Sequence, residues 1–134
     1  MTVTRTITVE RRPDRTKSLR VVEADELPPP PPGRIPRVAR LAALAIHLDD
    51  LLRRGEFATQ RELAAALHIT QPRLTQILNL THLAPDLVEA LLFLPRTERG
   101  RDPITERDLR HIVAMIDWKS QRAAFNRLTT NRIA

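Results

Sequence analysis

The densest chemistry in this chain lies between Gln60 and Asn79, in the stretch QRELAAALHITQPRLTQILN. Its useful groups are amides, hydroxyls and one guanidinium: Gln71, Arg73 and Gln76, with Thr59, Gln60, Thr70, Thr75 and Asn79 around them. Such groups form paired hydrogen bonds to flat polar edges. A carboxamide donates and accepts at once, and a guanidinium donates twice in a fixed fork. On a nucleic-acid duplex the matching edges are adenine N6 and N7 for Gln and guanine O6 and N7 for Arg, each good pair worth about 1–3 kcal/mol of discrimination. Short hydroxyls and amides at helix starts suit backbone phosphates or helix capping.

These side chains act together only if one element presents them on one face. Thr70 as N-cap and Pro72 in the first turn predict a helix running to about Asn79. Leu74, Ile77 and Leu78 form its buried stripe, and Gln71, Arg73, Thr75, Gln76 and Asn79 lie off it. Just upstream, Thr59 and Glu62 have capping-box spacing and open a shorter helix with Leu63, Ala64 and Leu67. Two helices joined by a short turn, a small residue for their crossing, apolar pins and an outward polar face together resemble a helix-turn-helix. One departure is His68, at the turn position where that motif usually has glycine because the backbone tends to be left-handed. His is among the residue types enriched in that conformation. On this reading Gln71, Arg73 and Gln76 meet bases, while Thr59, Gln60, Thr70, Thr75, Asn79 and the loop arginines Arg96, Arg99 and Arg101 meet the DNA backbone.

Around the motif the pattern is helical from Ile35 onward. A first helix starts at Pro36, with Val38, Leu41, Leu44, Ala45, Leu48, Leu51 and Leu52 at helical spacing and Gly55 as its C-terminal cap. Further helices are expected over Pro85 to about Phe93, Thr105 to about Ile116 and Asp117 to about Leu128, with Thr105 and Asp117 as caps. Trp118, Phe125 and Leu128 make one stripe, read as core or dimer packing, and Phe57 and Phe93 read as core. Before the helices stand five prolines, residues 28–32, a semi-rigid spacer of roughly 15 Å. Ahead of them, Thr2 to Val9 alternates like an exposed strand, and Leu19 to Glu23 can pair with it across Pro13-Asp14; an unstructured tail is the alternative. The expected fold class is therefore all-α: a multi-helix helix-turn-helix domain (36–128) with an extended N-terminal arm (1–27) carrying a short β-hairpin, a Pro-rich linker (28–35) and a C-terminal tail (129–134).

Composition narrows the function classes. Among 134 residues, Lys and Arg outnumber Asp and Glu by 22 to 16, which makes a polyanion a natural partner. The excess is C-terminal, nine cations against five acids over residues 95–134. With no cysteine, thiolate metal sites, disulfides and cysteine nucleophiles are excluded. There is no tyrosine, and Ser18 and Ser120 are poorly placed as nucleophiles. The four histidines, 47, 68, 82 and 111, lack i, i+4 partners, so no metal and no cofactor is expected. The longest fully apolar run, Leu41 to Ile46, is far short of a membrane span, and the N-terminus has no signal-like apolar core, so a cytoplasmic, nucleoid-associated protein with no membrane partner is expected.

The resemblance extends beyond the two helices. NLTHLAPDLVEALLFLP, the Ile104-Thr105-Glu106 helix start and the last helix with Gln121 resemble the helical DNA-binding domain of ParB/KorB-type partition proteins. GRIPRVARLAALAI, the RLTQI reading helix and FLP with ERGRDPIT are similar to small helix-turn-helix proteins encoded beside site-specific recombinases on bacterial mobile elements. Only three glycines and 35 residues precede or punctuate the helices, so the nucleotide-switched clamp of a full partition protein is not implied. The resemblance implies a non-enzymatic, sequence-specific double-stranded DNA-binding protein, a transcriptional regulator or an accessory factor for recombination or partition, acting as a homodimer or with a recombinase. The competing reading is a protein-interaction adaptor that holds a recombinase or other partner with weak or no DNA binding.

Overall fold

A computed structural model of the chain describes residues 28–133 and the backbone of two strands, β1 (Thr6–Arg11) and β2 (Lys17–Val22). The chain divides into two units, Met1–Pro31 and Pro32–Ala134. In the first, β1 and β2 pair antiparallel, Thr6 opposite Val22 and Arg11 opposite Lys17. The Pro13-Asp14 turn, the start of the expected first strand and Glu23 lie outside the described residues.

The second unit is all-α. Its helices are α1 (Arg37–Arg53), α2 (Gln60–Ala66), α3 (Gln71–Leu78), α4 (Pro85–Leu92), α5 (Glu106–Val113) and α6 (Trp118–Arg132), with a 3-10 turn over Asn79–His82 between α3 and α4. Local chemistry sets most of the boundaries. The Thr59 hydroxyl accepts from the Glu62 amide, Thr70 from the Arg73 amide, Thr105 from the Asp108 amide, and the Asp117 carboxylate from the Ser120 amide. Thr105 and Asp108 form a complete capping box. At Thr59 the acid reaches one residue further back than expected, to the Ala58 amide at 3.1 Å. The helix α6 continues to Arg132 and takes up residues expected to form a tail.

Helix α1 ends in a Schellman turn. Gly55 has φ of 73°, its amide donates to Leu52 O at 3.1 Å, and the Glu56 amide donates to Leu51 O at 3.1 Å. The end of α2 repeats this geometry without glycine. His68 has φ of 55°, its amide donates to Ala65 O at 3.2 Å, and the Ile69 amide donates to Ala64 O at 3.1 Å.

The core lies where α1 packs on α3, the 3-10 turn and α4, with α2 against α3 and α5 against α6 and the 3-10 turn. Leu63, Leu74, Leu91 and Leu109 are wholly buried in it. The buried stripe of α1 is Val38, Ala39, Ala42, Ala45 and Leu48, not the line through Leu41 and Leu44 that the spacing favours. Three alanines let neighbouring helices approach closely, which pushes Leu41 to the margin and leaves Leu44 exposed. For two aromatics the core reading changes. Phe125 is core, but Phe93 is 78% exposed just past α4, and Trp118 is 50% exposed at the first turn of α6. Neither belongs to the buried cluster of the described residues. Arg122 stacks over the Trp118 ring at 5.9 Å and pairs with Asp86 through three hydrogen bonds of 2.9–3.2 Å.

One buried polar group ties the end of the fold to its middle. Gln121 on α6 accepts from the Ala84 amide, which precedes α4, at 2.9 Å and donates to Met115 O at 3.0 Å and His82 O at 3.4 Å. It is 1% exposed, so these bonds replace water completely.

Candidate functional site

Helix α3 divides into two faces. Leu74, Ile77 and Leu78 are buried, whereas Gln71, Thr75 and Gln76 are exposed and Arg73 and Asn79 are half-buried. The start of the helix is set by its neighbours in sequence: the Schellman turn at His68 and Ile69 reverses the chain after α2, and Thr70 then caps α3. Thr59 and Gln60 stand exposed at the start of α2. Thr75 is partly satisfied within the helix, its hydroxyl donating to Gln71 O at 3.1 Å.

Arg73 does not extend alone into solvent. Its Nη1 and Nη2 form an end-on fork with Glu106 at the start of α5, Nη2 lying 3.2 Å from Oε2. Nη1 also donates to Gln76 Oε1 at 3.3 Å, and Arg110 Nη2 approaches that same oxygen at 3.4 Å and Glu106 Oε1 at 3.6 Å. The Arg73 side chain is 28% exposed and the Glu106 side chain 15%. The Arg73 guanidinium, with burial opposing it and Arg110 and Arg37 assisting, holds the Glu106 carboxyl below the usual glutamate range. Two consequences follow for α3. Gln76 has its acceptor oxygen taken by arginines and retains its amide hydrogens, so a paired contact to adenine is closed to it in this arrangement. Gln71 keeps both carboxamide groups exposed.

A cleft of about 320 Å³ opens beside this network, lined by Gln76, Asn79, Leu80, Glu106 and Arg110 among others. On the other side of Glu106, a second concavity is lined by Arg34, Arg37, Arg101 and Asp102. Glu106 and Asp102 are therefore two acids set among arginines from α3, α5, the start of α1 and the loop before α5.

The loop arginines separate. Arg96 is committed to the fold, its Nη1 donating to Gly33 O at 3.0 Å. Arg99 and Arg101 are exposed and line a groove with Arg132. The loop is fixed by Asp102, which accepts from the Arg37 amide at 3.0 Å, the Thr97 hydroxyl at 2.8 Å and Arg34 Nη2 at 3.1 Å. The Arg37 amide, then Thr97 and Arg34, keep the Asp102 carboxyl below the ordinary aspartate range. Backbone bonds in both directions between Arg34 and Thr97, 3.0 and 2.9 Å, complete this clasp.

The structure thus groups Gln71, Arg73, Thr75, Gln76 and Asn79 on α3, puts Thr59, Gln60 and Thr70 at helix starts, and gives Arg96, Arg99 and Arg101 a loop of their own. Sequence reading missed Glu106 as a site residue and counted Arg110 only within a C-terminal basic surface, not beside α3. Their i, i+4 spacing was visible, but nothing local links them to Arg73, 33 residues away. Among the described residues there is no group of acids or histidines that could hold a metal ion, and no helix long and apolar enough to cross a membrane. Comparison with protein-family models, curated proteins and solved structures finds no match for this chain.

Proposed function

We propose that this protein is a sequence-specific binder of double-stranded DNA that places α3 in the major groove. The observation that carries this reading is the α2–turn–α3 unit: a Schellman turn at His68, a Thr70 cap and a helix whose outward face carries Gln71, Thr75 and Gln76 with Arg73 beside them. These features support reading the unit as a helix-turn-helix, in which the second helix reads base edges. Gln71 has both halves of its amide available for adenine, Gln76 offers its amide hydrogens to acceptors such as guanine O6 or thymine O4, and Arg73 serves guanine. On this reading Thr59, Gln60, Thr70, Thr75 and Asn79 contact the phosphates, with Arg99 and Arg101. Arg96 is the weakest of the phosphate candidates because it already holds Gly33. Binding works by occupancy, as a regulator or an accessory factor for recombination or partition, and two copies on two half-sites extend the short sequence that one motif reads.

Selection of bound duplexes from a random pool, run beside Gln71→Ala/Arg73→Ala/Gln76→Ala, tests this. An enriched motif that the triple variant fails to enrich is the expected result, and a wild-type protein that is folded but enriches nothing sinks the reading. A second reading is favoured by a different observation: Phe93 and Ile116 are 78% and 99% exposed, as on an adaptor that holds a protein partner. Lack of any duplex affinity, with or without added salt, would move the assignment to it.

A further inference from the structure

The Arg73–Glu106 pair uses only one edge of the guanidinium. Of the five N–H groups of an arginine, one on Nη1 and one on Nη2 go to the two oxygens of Glu106, and the second on Nη1 goes to Gln76. The remaining N–H of Nη2 and the N–H of Nε form the side edge of the group. No described residue accepts from that edge. It is itself a two-donor fork of the width that guanine O6 and N7, or two phosphate oxygens, accept.

We infer that Glu106 is a positioning residue: by filling the end fork of Arg73 it fixes the guanidinium plane and leaves the side fork as the part that reads a guanine. This rests on the DNA-binding reading of α3 and extends the reading unit to α5. A long, unpaired arginine samples many rotamers and slides readily to the nearest phosphate, whereas one held in a fork by a carboxylate on a second helix has lost that freedom before DNA arrives. The burial of both partners makes the hold firmer than an exposed pair, since the Glu106 side chain is only 15% exposed. Arg110 and Gln76 close the network from the other side, so Glu106 is held in turn.

The test compares wild type, Glu106→Gln and Arg73→Lys for their bound-sequence profiles and for the salt dependence of duplex affinity, with thermal melts to verify folding. Glu106→Gln replaces one accepting oxygen by an amide that faces an arginine donor, and Arg73→Lys keeps the charge but has no side fork. Both variants are expected to lose guanine preference at one position by roughly tenfold. Their log–log salt slopes should stay at the wild-type value, because the number of phosphates neutralised is unchanged. A protein that loses only folding stability would weaken at all sequences alike, which is the readout that separates positioning from support. If Glu106→Gln does not fold, Glu106→Asp, which keeps the charge but draws the carboxylate back from the fork by one methylene, carries the same comparison. An unchanged Glu106→Gln profile, while wild type selects a motif, overturns this inference whatever Arg73→Lys does, and leaves the DNA reading standing. Tighter binding of Glu106→Gln to every sequence with a steeper salt slope also overturns it, since the pair would then be withholding Arg73. No selection by folded wild type overturns both.

Discussion

At the scale of single residues, the pairing of Arg73 with Glu106 reassigns the chemistry of the α3 face. An arginine on a polar helix face reads, from sequence, as a free reader or a solvated charge, and here it is neither, because a half-buried carboxylate from α5 already occupies one of its edges. The pair also makes a pH prediction. The Arg73 guanidinium stabilises the ionised form of Glu106 and lowers its proton affinity relative to the unfolded chain. The associated stability is therefore complete above the ordinary glutamate range and is lost as pH falls through the depressed value. The melting temperature of wild type should fall more steeply than that of Glu106→Gln between about pH 5 and pH 3. Asp102 and Asp108 shift in the same direction and are present in both proteins, so the difference between the two curves isolates Glu106. Parallel curves would show that the pair contributes nothing to folding.

At the scale of elements, the turn between α2 and α3 is set by hydrogen bonds of the backbone, and His68 tolerates it at a cost. A non-glycine residue at φ of 55° is strained by roughly 1–2 kcal/mol, less for His than for a β-branched residue. His68→Gly should therefore match or raise the denaturant midpoint, with a gain of at most about 1 kcal/mol. His68→Val should lower stability by more than about 1 kcal/mol. A valine variant as stable as wild type would mean that the turn can rearrange. Helix α6 depends on a different device, the three hydrogen bonds of buried Gln121. Gln121→Ala leaves the Ala84 amide and two carbonyls short of partners in a site closed to water. Chemical denaturation should show a loss of about 3 kcal/mol, and a loss under about 1 kcal/mol would argue that water enters to replace the side chain.

At the scale of the helical unit, the loop before α5 is held to the segment before α1 by the Asp102 clasp and the Arg34–Thr97 bonds. Gly33 permits that approach: its φ is 89°, and a Cβ placed there would stand 2.9 Å from Thr97 O. Gly33→Ala should accordingly speed hydrogen exchange at the Arg34 and Thr97 amides by tenfold or more, a change of about 1.4 kcal/mol, while amides inside α3 stay as protected as before. Equal protection at Arg34 and Thr97 would show that the clasp does not need this backbone conformation. The clasp also explains why the arginines of one short loop divide, Arg96 serving the fold and Arg99 and Arg101 facing solvent.

The all-α helical unit, the order of its six helices and their caps were legible in the chain because each depends on residues three or four apart. Thr59, Thr70, Thr105 and Asp117 cap where their hydroxyl or carboxylate reaches the amide three positions on, and His68 takes the left-handed turn that its place between two helical patterns requires. The polar face of α3 was legible for the same reason, as the complement of Leu74, Ile77 and Leu78. Which stripe of α1 is buried was decided only by packing, since Leu41 and Leu44 outrank Ala42 in hydrophobicity but not in the closeness of approach they allow. The exposure of Phe93 and Trp118 was likewise settled by tertiary packing, which leaves both outside the core cluster. The ion pairs that define the site, Arg73 with Glu106 and Asp102 with Arg34, join residues 33 and 68 positions apart. No spacing rule encodes such partners, because they meet only after the hydrophobic core has brought their helices together.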